Sequence, residues 1–270
     1  MRVHLRALPA CLMIVIIARE TDTVARSLVS HWAKYGAALL TPTDLSQAGW
    51  HHAPAAIHDD TIIVSKRQVP SRAITGILTR LPCVCEQDVA HHLVPEDRAY
   101  VASEMTAFLL SWLAGLGCPL LNRPTPTCLS GPGWRVERWV HLAGRLGIPV
   151  RPVSRHVKWS NDLPLRHERQ SCQTVTVIGD KCLETVDGAL ADHARRLAKA
   201  AKVHLLRVRF SEIDGEPRFF DADPWPDVSS DQAADAVYEY LSDTGRISVQ
   251  KWCSKPLSGN ELDVQPGRDR

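Results

Sequence analysis

The sequence has 270 residues, of which 44% are hydrophobic and 23% are charged, and its formal net charge is +2. This composition is ordinary for a globular protein, which argues against a disordered chain and against a membrane protein. The small net charge predicts no strong attraction to nucleic acid or to a membrane, and neither is expected as a partner. The length allows one large domain or two modest ones.

The N-terminal segment carries Arg2 and Arg6 before an apolar run, a pattern that imitates a secretion signal. The run from Ala10 to Ala18 is too short to span a bilayer and is followed by no A-x-A-like cleavage site. We therefore expect a buried first strand and a cytoplasmic protein.

Eight cysteines are dispersed along the chain, and none form a C-x-x-C pair. Cys83 and Cys85 stand two residues apart, but no second pair follows at zinc-finger spacing. The pattern therefore favours reduced thiols over a metal-thiolate site.

The first half alternates predicted strands and helices. After the first strand, apolar residues recur at helical spacing from Val24 to Tyr35, and Gly36 is a suitable helix end. The further predicted elements are strands at Ala37 to Leu40, Thr61 to Val64 and Ile74 to Leu81, a helix from Glu96 that ends on Gly115 or Gly117, and a strand at Cys118 to Asn122. This order predicts an α/β domain over residues 1–122.

The run RPTPTCLSGPG interrupts the pattern with proline and glycine and is the predicted domain boundary. The elements predicted after it are a helix from Trp134 to Gly147, a strand at Ile148 to Val153, a strand pair from Thr174 to Leu183, a helix from Asp187 to Lys202 with Asp187 as its N-cap, a hairpin turning at Asp214 and Gly215, and a helix from Asp231 to Leu241. We expect an α+β domain over residues 123–255 and a disordered tail over 256–270.

Two aspartates end the last predicted strand. Residues two apart in a strand share a face, and Asp221 and Asp223 are therefore expected to point the same way. Their charges repel each other unless the strand end is solvated, a basic residue such as Arg209 neutralises them, or a cation binds between them. The residues alone leave these alternatives open.

Several stretches, in this order, resemble the ATP-grasp superfamily, specifically the peptide-maturase and RimK-like carboxylate-amine ligases. They are GILTRL, YVASEMTAFLLSWLAGLGCPLLNRP, WRVERWVHLAGRLGIPVRPV, VIGDKCL, ARRLAKAAKVHLLRVRF and GEPRFFDADPWPDV. The resemblance implies a pre-ATP-grasp α/β domain over residues 1–122, followed by a reduced ATP-grasp-like α+β domain over residues 123–255.

In that family the closing strand carries Glu-x-Asn-x-x-Pro, whose acid and amide hold Mg²⁺ against the phosphates of ATP. The resemblance therefore implies ATP and Mg²⁺ as cofactors and places Asp221 and Asp223 at the two metal-binding positions. A third carboxylate normally precedes them where this sequence has Arg209. If catalysis is retained, a basic residue such as Lys158 or Arg151 is expected to face the phosphates. Arg209 is a further candidate for cofactor binding, and no catalytic residue is assigned.

The interval from Ser154 to Thr174 is where the family has its ATP-clamping strands, a phosphate-binding lysine and a glycine-rich loop. Here the interval is short and has no glycine. Losing one charged hydrogen bond costs roughly 1.5 to 3 kcal/mol, and losing the whole clamp should cost more. We therefore expect weak or lost nucleotide binding.

Two functions remain open at this point. The first is an ATP-grasp-like protein related to peptide-modifying carboxylate-amine ligases, which, if active, is an ATP-dependent ligase. The second is a non-catalytic recognition or partner subunit that binds a peptide or a full-length ligase. A homodimer is compatible with either function.

Other candidate residues have simpler interpretations. Four arginines could receive phosphate or carboxylate but are expected to form a solvated basic face: Arg135, Arg138, Arg145 and Arg151. The histidine pairs at 51–52 and 91–92 are expected to be loop residues and not metal ligands. Ser130 lacks the G-x-S-x-G frame of a hydrolase nucleophile, and serine hydrolysis is discarded.

Overall fold

The computed structural model describes residues 12–53, 60–89, 93–152, 172–184 and 187–253, with side chains described as far as residue 242. The helices are α1 (Thr23–His31), α2 (Pro42–Leu45), α3 (Arg98–Gly115), α4 (Val136–Arg145), α5 (Gly188–Ala201) and α6 (Asp231–Cys253). The strands are β1 (Met13–Ile17), β2 (Ala38–Leu40), β3 (Thr61–Val64), β4 (Arg67–Pro70), β5 (Ile74–Thr79), β6 (Leu120–Leu121), β7 (Cys172–Ile178), β8 (Lys181–Leu183), β9 (Leu205–Ile213) and β10 (Glu216–Asp223). Within these ranges, no helix has the length and apolar character needed to cross a membrane.

The first sheet is parallel, with strand order β2-β1-β5-β6. Helix α1 connects β1 to β2 and begins where the carboxylate of Asp22 accepts the N–H of Ala25. The helix ends at His31, and a short 3₁₀ turn leads to Gly36, whose φ of +79° suits glycine. The βα unit predicted from the apolar spacing is confirmed.

Strands β3 and β4 form a separate antiparallel hairpin. The sequence predicted β3 but not β4, because β4 begins with exposed Arg67 and Gln68 and ends on Pro70. Such a short, polar edge strand lacks the alternating apolar pattern by which strands are recognised.

The second sheet is antiparallel, with strand order β10-β9-β7-β8. The predicted hairpin between β9 and β10 is confirmed, and its turn residues Asp214 and Gly215 both have positive φ. Asp187 caps α5, as predicted. Helices α4 and α5 cover one face of the sheet, and the core between them includes Trp139, Leu197 and Phe210.

Two predicted elements differ from the structure. The stretch predicted as a strand from Ile148 forms a single bridge, Val150 to Phe219, beside β10. The last helix continues beyond the predicted end at Leu241 to Cys253. The predicted disordered tail lies outside the described residues.

The two sheets share one hydrophobic cluster. It joins Ile14 and Ile16 of β1 to Ile178 of β7, Leu205 of β9 and Val237 of α6. Helix α6 therefore follows the second sheet in sequence but also packs on the first. The domain boundary at residue 122 stays a prediction.

Candidate functional site

One face of the second sheet is polar. The residues that form it, called the polar face below, are Thr174, Thr176, Arg207, Arg209, Asp221 and Asp223. In the ladders Thr174 pairs with Arg209 and Thr176 with Arg207. The alternate residues, such as Val175 and Val208, point into the core beneath α4 and α5.

A β-bulge at Phe220 places the two aspartates on this face. From the hairpin turn, Phe219 pairs with Phe210, but the register then shifts, and Asp221 pairs with Arg209. If the register continued without the bulge, Phe220 would pair with Arg209, and Asp221 would pair with Val208 and point into the core. The bulge is therefore the structural reason that both carboxylates reach solvent.

Arg209 and Asp221 form an ion pair on the polar face. The guanidinium Nη2 donates to Oδ2 of Asp221, and the other carboxylate oxygen accepts the N–H of Ala222 at 2.7 Å. The two side chains are 43% and 25% exposed. Among the alternatives that the sequence left open for Asp221, neutralisation by Arg209 is the one that the structure contains.

The ring of Phe220 contacts two guanidinium groups. Cζ of Arg209 is 5.4 Å from the ring centroid and Cζ of Arg151 is 5.2 Å from it, within the range of cation–π attraction. Arg151 is held here because its N–H donates to the carbonyl of Phe219 at 3.0 Å. The structure thus brings Arg151 and Arg209 together around one aromatic side chain.

Asp223 shapes the turn after β10. Its Oδ1 accepts the N–H of Trp225 at 2.8 Å, and the indole N–H of Trp225 donates to the carbonyl of Ser130 at 2.9 Å. Asp223 also pairs with Arg207 across the ladder. This carboxylate therefore has a structural contact whether or not it binds a ligand.

Arg207 is a member of the polar face that the sequence analysis missed. Its Nη2 donates to the carbonyl of Asp227 at 2.6 Å, and its Nε donates to Oγ1 of Thr176 at 3.5 Å. Thr176 in turn donates to Glu184 at 2.9 Å, and Glu184 lies 4.0 Å from Arg207. The available signal was the spacing of Arg207 and Arg209, which are two apart in a strand and share a face.

An open cleft of about 450 Å³ lies over this face, lined by Thr174, Glu184, Arg207, Arg209 and Asp223. Hydroxyl, guanidinium and carboxylate groups all face the same space. Such a mixture suits a small polar ligand that both donates and accepts hydrogen bonds.

The arrangement is less suitable for a metal ion. Among the residues that the structure describes, no group of three or more His, Cys, Asp or Glu side chains could hold one. Mg²⁺ requires oxygen ligands, and a Mg²⁺ ion at Asp221 would have to compete with Arg209 for the carboxylate. The assignment of Asp221 and Asp223 to Mg²⁺ stays a prediction that this geometry does not favour.

The remaining predicted residues lie elsewhere or cannot be placed. Lys158, His91 and His92 lie outside the described residues. Within the predicted set of four arginines, Cζ of Arg138 lies 4.1 Å from the ring centroid of Trp134. Arg151, of the same set, lies beside the polar face through its contact with Phe220.

His52 takes part in a separate hydrogen-bonded group. Its Nδ1 lies 2.6 Å from Oδ2 of the buried Asp60, and its Nε2 lies 3.0 Å from Oγ of Ser111. The three groups have the order of a serine hydrolase triad. However, Ser111 lies in the second half of α3, where the backbone N–H groups donate to helix carbonyls and cannot stabilise an oxyanion. We interpret the group as a tether between the loop and α3.

Asn122 connects the end of the first sheet to the second sheet. Its buried side chain accepts the N–H groups of His204 and Leu205, each at 2.9 Å. It also donates to the carbonyls of Leu205 at 2.9 Å and Pro224 at 3.3 Å. One amide thus fixes both the start of β9 and the turn after β10.

Comparisons with known proteins give matches in structure only. No protein-family model matches the sequence, and no curated protein matches it. Similar solved structures include the macrocyclase MdnC of Microcystis aeruginosa bound with precursor peptide MdnA, with a TM-score of 0.60, 9% identity, and coverage of 86% of this chain and 99% of that chain.

Two further structures show the same likeness. A RiPP-associated ATP-grasp ligase of Chryseobacterium gregarium, in complex with ADP and a leader and core peptide, has a TM-score of 0.60 and 10% identity, covering 86% of this chain and 97% of that one. The ATP-grasp ligase PsnB, complexed with precursor peptide PsnA2 and AMPPNP, has a TM-score of 0.57 and 13% identity, covering 90% and 99%. The fold is therefore that of ATP-grasp ligases, and the predicted fold class is confirmed.

Proposed function

We propose that this protein is an ATP-grasp-fold relative of peptide-modifying carboxylate-amine ligases that binds a peptide and binds nucleotide weakly. The observation that carries the proposal is the ion pair between Arg209 and Asp221 on the polar face. Arg209 takes the position that the resemblance gives to a metal-binding carboxylate. Arg209 also donates a hydrogen bond to a carboxylate oxygen of Asp221, one of the two remaining acids.

The physical consequence is a loss of affinity for a metal–nucleotide complex. A divalent ion, when bound, neutralises the phosphates and the charge on a transferred phosphoryl group. Here the carboxylate charge of Asp221 is already compensated by a guanidinium, and a metal ion gains less by binding to it. Arg207 is likewise engaged with the carbonyl of Asp227. Arg209 and Asp221 are paired with each other, and Arg207 and Asp223 have hydrogen bonds to the segment that follows β10.

The peptide part of the proposal is supported by the solved neighbours. MdnC, PsnB and the Chryseobacterium ligase were each solved with a precursor, leader or core peptide. We propose that this chain also recognises a peptide. A second candidate is a non-catalytic partner subunit for a full-length ligase, which the same ion pair favours because such a subunit has no need for a metal site.

Thermal melting with millimolar Mg-ATP tests the proposal. A ligand that binds only the folded state at a hundredfold excess over Kd stabilises it by about 2.7 kcal/mol. We expect a negligible shift for the wild type, and the same for the double variant Asp221→Ala with Asp223→Ala. An ATP-dependent stabilisation that disappears in the double variant would contradict weak binding and would make the aspartates a working metal site.

The peptide part needs a separate measurement. Short peptides encoded beside the gene, labelled with a fluorophore, should raise fluorescence anisotropy when the protein is added without nucleotide. A full-length ATP-grasp enzyme encoded alongside, and retained by this protein on a column, would instead favour the partner-subunit function. No binding to either would overturn peptide and partner recognition while leaving the nucleotide result unaffected.

A further inference from the structure

Two thiols lie side by side in the connection after β5. The Sγ atoms of Cys83 and Cys85 are 3.7 Å apart. Val84 between them is buried, and its N–H donates to Oγ1 of Thr106 at 3.0 Å. Because successive side chains of an extended chain point in opposite directions, burial of Val84 turns both thiols to the other side.

A fixed cation contacts one of the two sulfurs. Nη2 of Arg19 is 3.2 Å from Sγ of Cys85, and the same guanidinium makes hydrogen bonds of 2.7 and 2.9 Å to Asp88. Asp88 also accepts the N–H of Cys85 at 2.9 Å. The guanidinium is thus positioned to stabilise negative charge that develops on Cys85 when its sulfur attacks or leaves.

Both cysteines are half-buried and can be reached from solvent. Residues 83–85 lie outside helices and strands. The sulfurs need to approach from 3.7 Å to a bond length of about 2.05 Å. The two sulfurs are therefore neighbours without being bonded.

We propose that Cys83 and Cys85 form a redox-active dithiol that a low-molecular-weight disulfide, such as glutathione disulfide, oxidises. The Cys85 thiolate attacks one sulfur of glutathione disulfide, and one glutathione thiolate leaves. Cys83, deprotonated, then attacks Sγ of Cys85 and displaces the second glutathione. The products are one intramolecular disulfide and two glutathione thiols, which carry the two electrons and, at neutral pH, the two protons. An added dithiol reduces the protein disulfide back to two thiols and is itself oxidised to a disulfide.

Cys118 and Cys128 lie in a different environment from Cys85. Burial raises the pKa of the Cys118 thiol to about 12, and burial also raises the pKa of the Cys128 thiol. Among the described residues, no guanidinium makes a hydrogen bond to either sulfur, as that of Arg19 does to Cys85. Cys118 is therefore an internal control that should react slowly in the same sample. Burial raises the pKa of Cys83 as well, which agrees with its assignment as the second thiol to react.

The test uses the reduced full-length protein incubated with glutathione disulfide, quenched with N-ethylmaleimide and mapped by mass spectrometry. We expect the peptide that contains residues 83–85 to lose two hydrogens and to escape alkylation, while Cys118 stays a thiol. In Cys83→Ser, glutathione should remain attached to Cys85. The proposal is overturned if the wild type shows no loss of hydrogen at this peptide, stable glutathione on both cysteines, or a bond to Cys128.

Arg19 variants test the role of the cation. Arg19→Gln should slow glutathione attachment to Cys85, in the Cys83→Ser background, by about tenfold, the equivalent of one charged hydrogen bond. Arg19→Lys keeps the charge and should restore much of the rate. Circular dichroism would establish that each variant is folded. Equal rates in all three proteins would exclude a role for Arg19. The assay contains no nucleotide or peptide, and its outcome is independent of the proposed function.

Discussion

Arg209 and Asp221 face each other across the ladder between β9 and β10, and their side chains form an ion pair. The pair exists because the bulge at Phe220 shifts the register by one residue just before Asp221. The ion pair occupies Asp221, one of the carboxylates that the resemblance implies for Mg²⁺. Arg209 also stands where the resemblance implies a third carboxylate. The first prediction tests this relationship.

Arg209→Asp should create magnesium binding. The substitution frees Asp221 and adds a carboxylate beside it, and hard oxygen ligands favour Mg²⁺. We expect millimolar MgCl₂ to raise the melting temperature of the variant but not that of the wild type. Arg209→Asn frees Asp221 without adding charge and is the matched control. Equal magnesium responses in all three proteins would show that Arg209 does not control the metal affinity of this face.

Asp223→Asn should leave stability unchanged within about 0.5 kcal/mol. The amide oxygen can still accept the N–H of Trp225, which Asp223 now holds at 2.8 Å. Asp223→Ala removes that acceptor and should cost about 1 kcal/mol. Urea unfolding measures both values. A large loss in Asp223→Asn would mean that the charge, and not the turn contact, is what the fold needs.

Asn122→Ala should be among the most destabilising single changes, at about 3 kcal/mol, because it leaves buried polar groups without partners. The Asn122 amide accepts the N–H groups of His204 and Leu205 and donates to the carbonyl of Pro224, and Asn122 is 1% exposed. Gln68→Ala is the control, since that exposed amide donates to the carbonyl of Gly49. In denaturant unfolding, the loss of unfolding free energy should be several-fold larger for Asn122→Ala than for Gln68→Ala. Equal losses would contradict the role of Asn122.

Gly76→Ala should destabilise the packing of α6 on the first sheet. A Cβ at position 76 would lie 2.8 Å from Cβ of Leu241 and 3.1 Å from its carbonyl oxygen. Overpacking of this kind costs about 1 to 3 kcal/mol. Gly117→Ala meets no atom within 4 Å and is the matched control. Gly76→Ala should lower the melting temperature and Gly117→Ala should not. An unchanged melting temperature for Gly76→Ala would show that α6 can move away without cost.

Ser229→Ala should raise the pKa of Asp227. The Ser229 hydroxyl donates to Asp227 at 2.6 Å and its N–H donates at 2.9 Å, and these bonds hold the pKa of the carboxyl below its usual value. A depressed folded-state pKa gives stability that is present above the unfolded pKa and is lost as pH falls through the folded value. Ser229→Ala keeps only the N–H bond to Asp227. The pKa of Asp227 measured by NMR titration should therefore rise toward the usual carboxyl value.

The control for that titration is Ser103→Ala, whose hydroxyl bonds to the carbonyl of Ala99 on a distant helix. It should leave the Asp227 titration where it is in the wild type. If Ser229→Ala also leaves it there, the hydroxyl is not the main cause of the depressed pKa.

The sequence by itself determined the local elements. The apolar run of β1, the helical spacing of α1, the Asp187 cap of α5 and the Asp214-Gly215 turn were all predicted correctly. Each of these signals is contained within a few neighbouring residues, where propensity, capping and turn chemistry decide the conformation. The overall order of elements was also sufficient for the ATP-grasp resemblance.

Only the tertiary structure decided which side chains meet on the polar face. Counting residues back from the hairpin turn pairs Asp221 with Val208, and only the bulge at Phe220 transfers it to Arg209. Arg207 and Glu184 meet because β7 lies between β8 and β9, an arrangement that no local pattern contains. Side-chain direction in a strand has a period of two, and a shift of one residue in register reverses every side chain beyond it. The chemistry of this face therefore depends on long-range strand pairing.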